Sequence, residues 1–419
     1  MSTLGPLLMQ GRRPLARIAA FSLLPGLSLV STLVVLPVLS LRFGQEGWSS
    51  VLLGQSIGAA ASVVCGLSWP LEGAHLASSA SAGQRLQMYR TSVRQRTAAV
   101  VLAAPIMIAI SLVAAPSMPL VCSLSAVAVS LNALSPTWYF VGVSRPSQSV
   151  VAEGVPRLVV SVLSVGLVAL LPLWTYPVAL ICGTLVTLAI AHVFIHRDAE
   201  KAVAGAPPRT ESPTATRGHL PVLAVFARGA DAGYMYLSGP LIALVAPPAY
   251  PLYAAVDRLA QSVVNLMGPA TQGLTAWIGE APVGGRHRRL SGAVLIALGV
   301  AVLGFLVLLV AGPLLMRYLF AGTIQIDRLV SFLVAATVAG AFLARSLVLI
   351  LLVPQDLAAV AYRLMLLAAF LALPLLGVAA VVWGSVGAIT VAAVTPWVVV
   401  AAQLTVGLQR LPRPTPLRG

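Results

Sequence analysis

The chain has 419 residues, of which 59% are hydrophobic and 9% charged, and its formal net charge is +15. Soluble globular domains contain about 25% charged and about 45–50% apolar residues, so a soluble enzyme of this composition would leave too much apolar surface in water. An outer-membrane barrel is excluded as well, because its strands alternate polar and apolar residues. The composition therefore predicts an all-α polytopic membrane protein.

Apolar runs and the breakers between them predict twelve transmembrane helices, since each crossing needs about 20 apolar residues. An even number of crossings puts both ends of the chain on the same side of the membrane. In chain order the predicted spans cover residues 17–41, 47–71, 97–115, 118–142, 155–173, 175–196, 219–245, 249–279, 291–315, 329–353, 356–380 and 383–406.

The distribution of basic residues predicts which side that is. If both termini are cytoplasmic, 19 Lys and Arg residues fall in cytoplasmic segments and three, Arg42, Arg317 and Arg328, fall in outer segments. Lys and Arg accumulate in cytoplasmic loops, so this asymmetry supports both the count and the orientation. The positive net charge then reflects topology and an attraction to anionic membrane lipids. We do not expect nucleic-acid binding, because the cations are dispersed over short loops.

A polar stretch rich in Pro, Ala, Ser and Thr divides the predicted spans six plus six. The predicted organisation is an N-terminal six-helix bundle (residues 1–196), a cytoplasmic linker (197–218), a C-terminal six-helix bundle (219–406) and a basic cytoplasmic tail (407–419). Transporters built from repeats commonly bind their substrate between the two halves, so we expect a site there.

Polar residues within spans seven and eight mark the candidate site. Arg228 and Asp231 are three residues apart on span seven, so they can share a helix face and pair. A charge at the bilayer centre costs about 2.5–3.5 kcal/mol, so we expect a polar stripe on span eight to face a water-filled cavity. This stripe follows helical spacing and contains Arg258, Gln261, Asn265 and Gln272, with Asp257 at its edge.

Arg345 in span ten and Arg363 in span eleven extend the basic character of the predicted cavity. A surplus of arginines over the two acids, Asp231 and Asp257, favours an anionic substrate, because guanidinium groups offer paired donors to the paired oxygens of phosphate. Less specific interpretations stay open. Arg345 and Arg363 can snorkel to lipid headgroups, and Arg228 with Asp231 can form a structural ion pair.

Two motifs that would indicate an enzyme or a nucleotide site are absent from the sequence. It contains no GxxxxGK[ST] phosphate-binding loop and no HExxH pattern. Cys65, Cys122 and Cys182 lie in apolar runs without metal-ligand spacing. Because the short cytoplasmic loops leave no room for a catalytic domain, we expect a protein that is not an enzyme and has neither cofactor nor metal.

Two segments carry a family resemblance. Span four contains the segment from Asn132 to Gly142, with Pro136, Trp138, Tyr139, Phe140 and Gly142 in the pattern Pro-x-Trp-aromatic-aromatic-x-Gly. Span eight contains Tyr253-Ala-Ala-Val-Asp-Arg-Leu259. Both segments resemble the polysaccharide flippases called Wzx, which belong to the multidrug/oligosaccharidyl-lipid/polysaccharide (MOP) exporter superfamily.

This resemblance implies a flippase of the bacterial cytoplasmic membrane. Such a protein translocates undecaprenyl-pyrophosphate-linked oligosaccharide from the cytoplasmic to the outer leaflet for surface polysaccharide assembly. Alternating access through a cationic central cavity would move the head group while the lipid tail stays in the bilayer. A polysaccharide polymerase and glycosyltransferases are the expected partners.

Site roles follow from the predicted cavity. Asp231 or Asp257 would exchange protons or cations during the cycle. The phosphates would be held by Arg258 and Arg228, with Arg345 and Arg363 as further candidates, and the sugar hydroxyls would be contacted by Gln261, Asn265 and Gln272.

Two other functions stay open. One is export of drugs or metabolites by a transporter of the related multidrug branch or of the major facilitator type, although the loop after span two lacks the latter's Gly-x-x-x-Asp-Arg-x-Gly-Arg-like motif. The other is a non-transporting membrane scaffold. A cation exporter would carry more buried acid than base, and inert spans would not need the polar stripe, so we favour the flippase.

Overall fold

The computed structural model describes residues 5–204, 222–279, 286–355 and 357–409, and it describes most side chains of residues 34–200, 233–278 and 289–409. The described ranges contain helices, turns and loops and no strand, which confirms the all-α class. The α-helices are α1 (Gly5–Cys65), α2 (Trp69–Ser79), α3 (Ala82–Ala114), α4 (Pro119–Ser130), α5 (Thr137–Gly142), α6 (Pro146–Ser149), α7 (Val155–Leu170), α8 (Thr175–Ala204), α9 (Val222–Val245), α10 (Tyr250–Gly279), α11 (Arg286–Leu319), α12 (Arg328–Leu347) and α13 (Ala358–Gln409).

Glycines with a positive φ break the two longest helices. Gly44 in α1 has a φ of 62° and Gly384 in α13 a φ of 64°, a region that glycine adopts without strain. A straight α13 of 52 residues would be about 78 Å long, whereas the hydrocarbon core is about 30 Å thick. A Cβ atom added to Gly387 would lie 2.5 Å from the carbonyl oxygen of Ala379, so the chain folds back at Gly384. Both breaks lie at or beside loops predicted between consecutive spans.

Eight helical stretches within the described ranges are long and apolar enough to cross a membrane. They support a multi-pass membrane protein, whereas the count of twelve spans and the cytoplasmic position of both termini stay predictions. The stretches are Val34–Cys65, Ala82–Ala114, Pro119–Gly142, Ser147–Leu170, Thr175–Asp198, Arg289–Leu319, Arg328–Gln355 and Ala358–Gly407.

The predicted linker begins as helix. α8 continues to Ala204, so residues 197–204 extend the last helix of the N-terminal half. The alanines, the glutamate and the lysine in this stretch are strong helix formers, and their propensity explains why α8 continues into the predicted linker. Residues 205–218 of the predicted linker and 410–419 of the predicted tail lie outside the described residues. The domain boundaries therefore stay predictions.

One apolar cluster joins the N-terminal half (α1–α8) to the C-terminal half (α9–α13), at the end where Gly384 turns the chain. Trp48 and Phe320 are fully buried in it, with their ring centroids 4.5 Å apart. Ser40 Oγ donates a hydrogen bond to the Leu319 carbonyl oxygen (3.3 Å) across the same contact. We call this the Trp48 cluster, and its other buried members include Val35, Leu36, Leu39, Tyr250, Met316, Leu376 and Ile389.

At the opposite end, each apolar cluster of the described residues belongs to one half or the other. Tyr89, Trp138 and Phe140 pack together in the N-terminal half, and Ile278 and Leu347 pack together in the C-terminal half. Apolar contact therefore holds the halves together at the Trp48 end. At the other end, which we call the open end, the halves leave space for a cavity between them.

The close packing of α1 on α4 depends on glycine. A Cβ atom on Gly58 would lie 2.2 Å from the Ala126 carbonyl oxygen, whereas one on Gly299 in α11 would meet no atom within 4 Å. We expect Gly58→Ala to lower the thermal unfolding midpoint of the purified protein, because overpacking costs about 1–3 kcal/mol. Gly299→Ala, the matched control, should unfold at the wild-type midpoint or above it. Equal midpoints for the two variants would contradict this packing.

Candidate functional site

A cavity of about 430 Å³ lies between the two halves. Its N-terminal wall comes from α1, the turn after α4, α7 and α8, and its C-terminal wall from α9 and α10. Sites for small ligands commonly enclose about 300–1,000 Å³, so this cavity is large enough for a charged head group. The polar side chains that line it are Gln55, Ser56, Ser62, Asn132, Arg157, Tyr176, Tyr236, Tyr250, Asp257, Arg258, Gln261 and Asn265.

The predicted stripe on α10 faces this cavity along part of its length. Arg258, Gln261 and Asn265 line the cavity together with Asp257, because residues three, four and seven positions apart share a helix face. Gln272, seven residues further along, is exposed and is not among the described lining residues. The cavity therefore ends before the last turns of α10.

A smaller cavity of about 130 Å³ lies inside the C-terminal half, and Arg345 lines it. Asp257 and Gln261 line both cavities, so α10 forms the wall between them. Gln261 Nε2 donates a hydrogen bond to Asp257 Oδ2 (2.8 Å), and Arg345 Nη2 lies 3.0 Å from Met235 Sδ. Arg345 is thus inside the C-terminal half, on the far side of Asp257 from the central cavity.

The three remaining predicted site residues are Arg228, Asp231 and Arg363. Arg363 on α13 is exposed and lines neither of these two cavities. The side chains of Arg228 and Asp231 lie outside the described residues, although their backbone belongs to α9. Their pairing and their roles stay predictions.

None of the predicted site residues belongs to the N-terminal wall of the cavity. Arg157, near the start of α7, lines the cavity, and its Nη2 atom donates a hydrogen bond to Asn132 Oδ1 (3.3 Å). On the same wall Gln55 Nε2 donates to the Tyr176 hydroxyl (3.5 Å). The charge pattern assigns Arg157 to a cytoplasmic loop, although the residue lies just inside predicted span five. Its position within a predicted span was the signal in the sequence that could have identified Arg157 as a cavity residue.

The flippase-like segment of span four breaks a helix. α4 ends before a short 3-10 turn, and Arg96 of α3, which is fully buried, donates from Nη1 to the carbonyl oxygens of Ala133 (2.6 Å) and Ser135 (2.9 Å). Glu153 Oε1 accepts hydrogen bonds from Ser135 Oγ (2.9 Å) and Thr137 Oγ1 (2.7 Å). The Arg96 hydrogen bonds satisfy carbonyl groups that the end of a helix leaves without partners. The charge pattern places Arg96 in a loop, whereas the structure places it within α3.

Aromatic residues of the same segment pack against α2. Trp138 covers Gly73, where an added Cβ atom would lie 2.6 Å from the indole ring. Gly142 approaches the backbone of Ala74 as closely, with 2.6 Å between an added Cβ and the carbonyl oxygen. The segment that carries the family resemblance therefore shapes the N-terminal half, and it presents Asn132 to the cavity.

In fold, the chain is similar to solved MATE structures. One is an inward-facing conformation of a multidrug resistance MATE family transporter of the MOP superfamily, with a TM-score of 0.58 and 13% identity, covering 94% of this chain and 98% of that one. Another is a MATE protein in the bent conformation, with a TM-score of 0.53 and 12% identity, covering 98% of this chain and 99% of that one. No protein-family model and no curated protein matches the sequence. The chain has the fold of MATE proteins, and the Wzx branch stays a prediction.

Replacing Arg96 tests its structural role. Arg96→Met removes the donors to the buried carbonyl oxygen of Ala133 and the half-buried one of Ser135, and a buried group left unsatisfied costs about 1–3 kcal/mol. We therefore expect a marked fall in the melting temperature of the purified protein, measured by size-exclusion chromatography after heating. Arg94→Met, at an exposed position on the same helix, is the control and should melt as the wild type does. The role is wrong if the two variants melt together.

Single cysteines test whether the central cavity holds water. In a chain whose three native cysteines are replaced, we expect Asn265→Cys to react rapidly with a membrane-impermeant maleimide, because Asn265 is exposed and lines the cavity. Leu303→Cys on α11 is the matched control, since Leu303 is 62% exposed in a helix apolar enough to cross a membrane. Equally slow labelling at both positions would show that the cavity is dry.

Proposed function

We propose that this protein is a flippase that moves an anionic lipid-linked oligosaccharide from the cytoplasmic to the outer leaflet of a bacterial cytoplasmic membrane. The charge of the central cavity is the main support. Arg157 and Arg258 line opposite walls, and Asp257 is the one acid among the described lining residues. Guanidinium groups bind phosphate through paired, charge-assisted hydrogen bonds, so this cavity suits an anionic head group.

The fold supports transport by alternating access. The Trp48 cluster closes the space between the halves at one end, and the halves stand apart at the open end. The basic residues favour an outer position for the Trp48 end, so the cavity would face the cytoplasm. One solved structure of the same fold is an inward-facing transporter. In this conformation the cavity could receive a head group from the cytoplasmic leaflet.

A polar head group needs polar surroundings, which the central cavity offers, whereas a lipid tail needs the apolar bilayer. Arg258, with Arg228 as a second candidate, would hold the phosphates, while Gln261 and Asn265 would bond to sugar hydroxyls. The tail would stay in the bilayer outside the cavity. Translocation of this kind serves surface polysaccharide assembly. It therefore implies a polymerase and glycosyltransferases as partners.

Asp257 is our candidate for coupling transport to a proton or cation, with Asp231 as the alternative. It lines the central cavity and also the smaller cavity that holds Arg345. A carboxylate in this wall lies between two regions of positive charge, so an anion that binds in the central cavity competes with it for Arg258. Such competition links the binding of an anion in the cavity to the protonation state of Asp257.

Drug export is the second candidate function, because one of the solved structures of this fold is a multidrug resistance transporter. A cationic drug, however, would meet Arg157 and Arg258 in the central cavity. Like charges repel more strongly beside a protein wall than in bulk water. The charge of the cavity therefore favours the flippase.

Arg258→Ala tests the proposed function. We expect lipid-linked sugar to appear in the outer leaflet at least about tenfold more slowly, because hydrogen bonds to charged groups contribute about 1.5–3 kcal/mol. The measurement is leaflet exposure of the lipid-linked sugar in cells, at protein abundance matched by immunoblot.

Arg363→Ala is the matched control, because Arg363 is exposed and lines neither cavity. It should leave leaflet exposure unchanged. Wild-type flipping by Arg258→Ala at equal abundance would refute the role of this residue. A wild-type protein that expels cationic dyes and moves no lipid-linked sugar would make drug export the correct function.

A further inference from the structure

A side pocket of about 150 Å³ lies in the N-terminal half, beside the central cavity. Its walls come from α4 and the turn after it, from α7 and the π-helical turn before it, and from α8. Asn132 and Arg157 line both spaces, so the side pocket adjoins the central cavity at these two residues. Part of a ligand held in the central cavity can therefore extend into the side pocket.

Glu153 is the one acid among the described residues that line the side pocket. It is only 4% exposed, and a buried carboxylate needs an opposite charge and hydrogen bonds. Arg96 supplies that charge, since it interacts electrostatically with Glu153. Ser135 and Thr137 supply the hydrogen bonds, which both end at Oε1 (2.9 and 2.7 Å). A carboxylate has about two lone-pair sites on each oxygen, so Oε2 keeps its acceptor sites for a ligand in the side pocket.

Hydroxyl groups and apolar surface share the rest of the side pocket. Ser161 donates a hydrogen bond to the Arg157 carbonyl oxygen (2.7 Å), and Thr184 donates one to the Leu180 carbonyl oxygen (3.0 Å). Both hydroxyl oxygens keep lone pairs that can accept a hydrogen bond. The apolar lining residues are Ala128, Val129, Leu131, Val160, Leu180 and Leu188. This combination suits a sugar ring, because the ring has hydroxyls at its edge and C–H groups on its faces.

The size and charge of the side pocket suit one small, uncharged unit of a larger ligand. Its volume of about 150 Å³ is below the range of about 300–1,000 Å³ that sites for whole ligands usually enclose. Glu153 and Arg157 are the charged residues among its described lining, so their charges balance. These two described side chains form no ion pair with each other, and both can bond to a ligand. A further charge on the bound unit would have no described lining residue left to balance it.

We propose that the side pocket binds one uncharged monosaccharide unit of the transported lipid-linked oligosaccharide. The inference rests on the proposed function and specifies a class of sugar for its substrate. Neighbouring hydroxyls of this unit donate hydrogen bonds to Glu153 Oε2, and Arg157 donates one to a sugar oxygen at the entrance. The apolar lining packs against the C–H faces of the ring. Glu153 thus takes part in sugar recognition and also bonds to the broken end of α4.

Two variants separate the side pocket from the rest of the protein. Thr184→Leu fills the pocket with a larger side chain, and the hydroxyl that it removes bonds within its own helix, so no other helix loses a partner. Thr390→Leu on α13 is the matched control, because Thr390 is exposed and its hydroxyl makes the same kind of bond, to the Val386 carbonyl oxygen (2.8 Å). Glu153→Gln removes the negative charge and keeps an acceptor for Ser135 and Thr137. Melting temperatures of the purified proteins check that each variant is folded.

Methyl glycosides test the pocket by binding alone. The full-length protein, in a detergent that contains no sugar, is titrated with methyl glucoside, methyl galactoside, methyl mannoside and methyl glucuronide, and binding is followed by saturation-transfer NMR. We expect at least one neutral glycoside to bind to the wild type and to Thr390→Leu. Thr184→Leu and Glu153→Gln should bind it at least about tenfold more weakly, a difference of about 1.4 kcal/mol. Filling the pocket should not change any binding of the charged glucuronide. The proposal is overturned if no neutral glycoside binds to the wild type, or if Thr184→Leu binds as the wild type does.

Failure of the sugar pocket and failure of the proposed function give different results. A wild type that flips lipid-linked sugar, together with a Thr184→Leu variant that flips it equally fast, overturns the sugar pocket and retains the flippase. A wild type that binds a neutral glycoside through Glu153 and flips no lipid-linked sugar supports the sugar pocket and removes the flippase. A wild type that binds no neutral glycoside and flips no lipid-linked sugar overturns both.

Discussion

An arginine within a membrane-spanning bundle needs polar partners or water, and this need organises the molecule in two ways. Arg96 is fully buried, and carbonyl oxygens at the broken end of α4 accept its hydrogen bonds. Arg157 and Arg258 instead line a cavity between the halves. The first solution stabilises the scaffold of the N-terminal half. The second places two guanidinium groups on the wall of the central cavity, the arrangement on which the proposed function rests.

The Trp48 cluster and the central cavity are linked by geometry. Because the halves share a buried apolar core at one end, they can diverge at the other without separating. To open the cavity towards the Trp48 end, the protein must expose this core, and each large apolar side chain that leaves it loses about 1.5–3 kcal/mol. New contacts at the open end must offset that loss.

The segment that resembles Wzx flippases acts on the site indirectly. Its aromatic residues pack against α2, and its backbone is held by Arg96, while Ser135 and Thr137 bond to Glu153. The break in α4 places Asn132 at the cavity wall, where it bonds to Arg157. The motif is therefore a scaffold whose shape positions a charged side chain that lies outside the motif.

Composition by itself determined the all-α class, because a chain in the apolar bilayer core must satisfy its backbone hydrogen bonds internally, as a helix does. Periodicity determined the polar face of α10, because helical spacing fixes which residues share a face. They placed Arg258, Gln261 and Asn265 together correctly. They could not tell which of the remaining cations share the cavity. Arg157 and Arg96 have the same local signature of an arginine near a span boundary, yet one lines the cavity and the other is fully buried. Only the tertiary structure decides between these outcomes, since the difference depends on which helix from a distant part of the chain packs against each side chain.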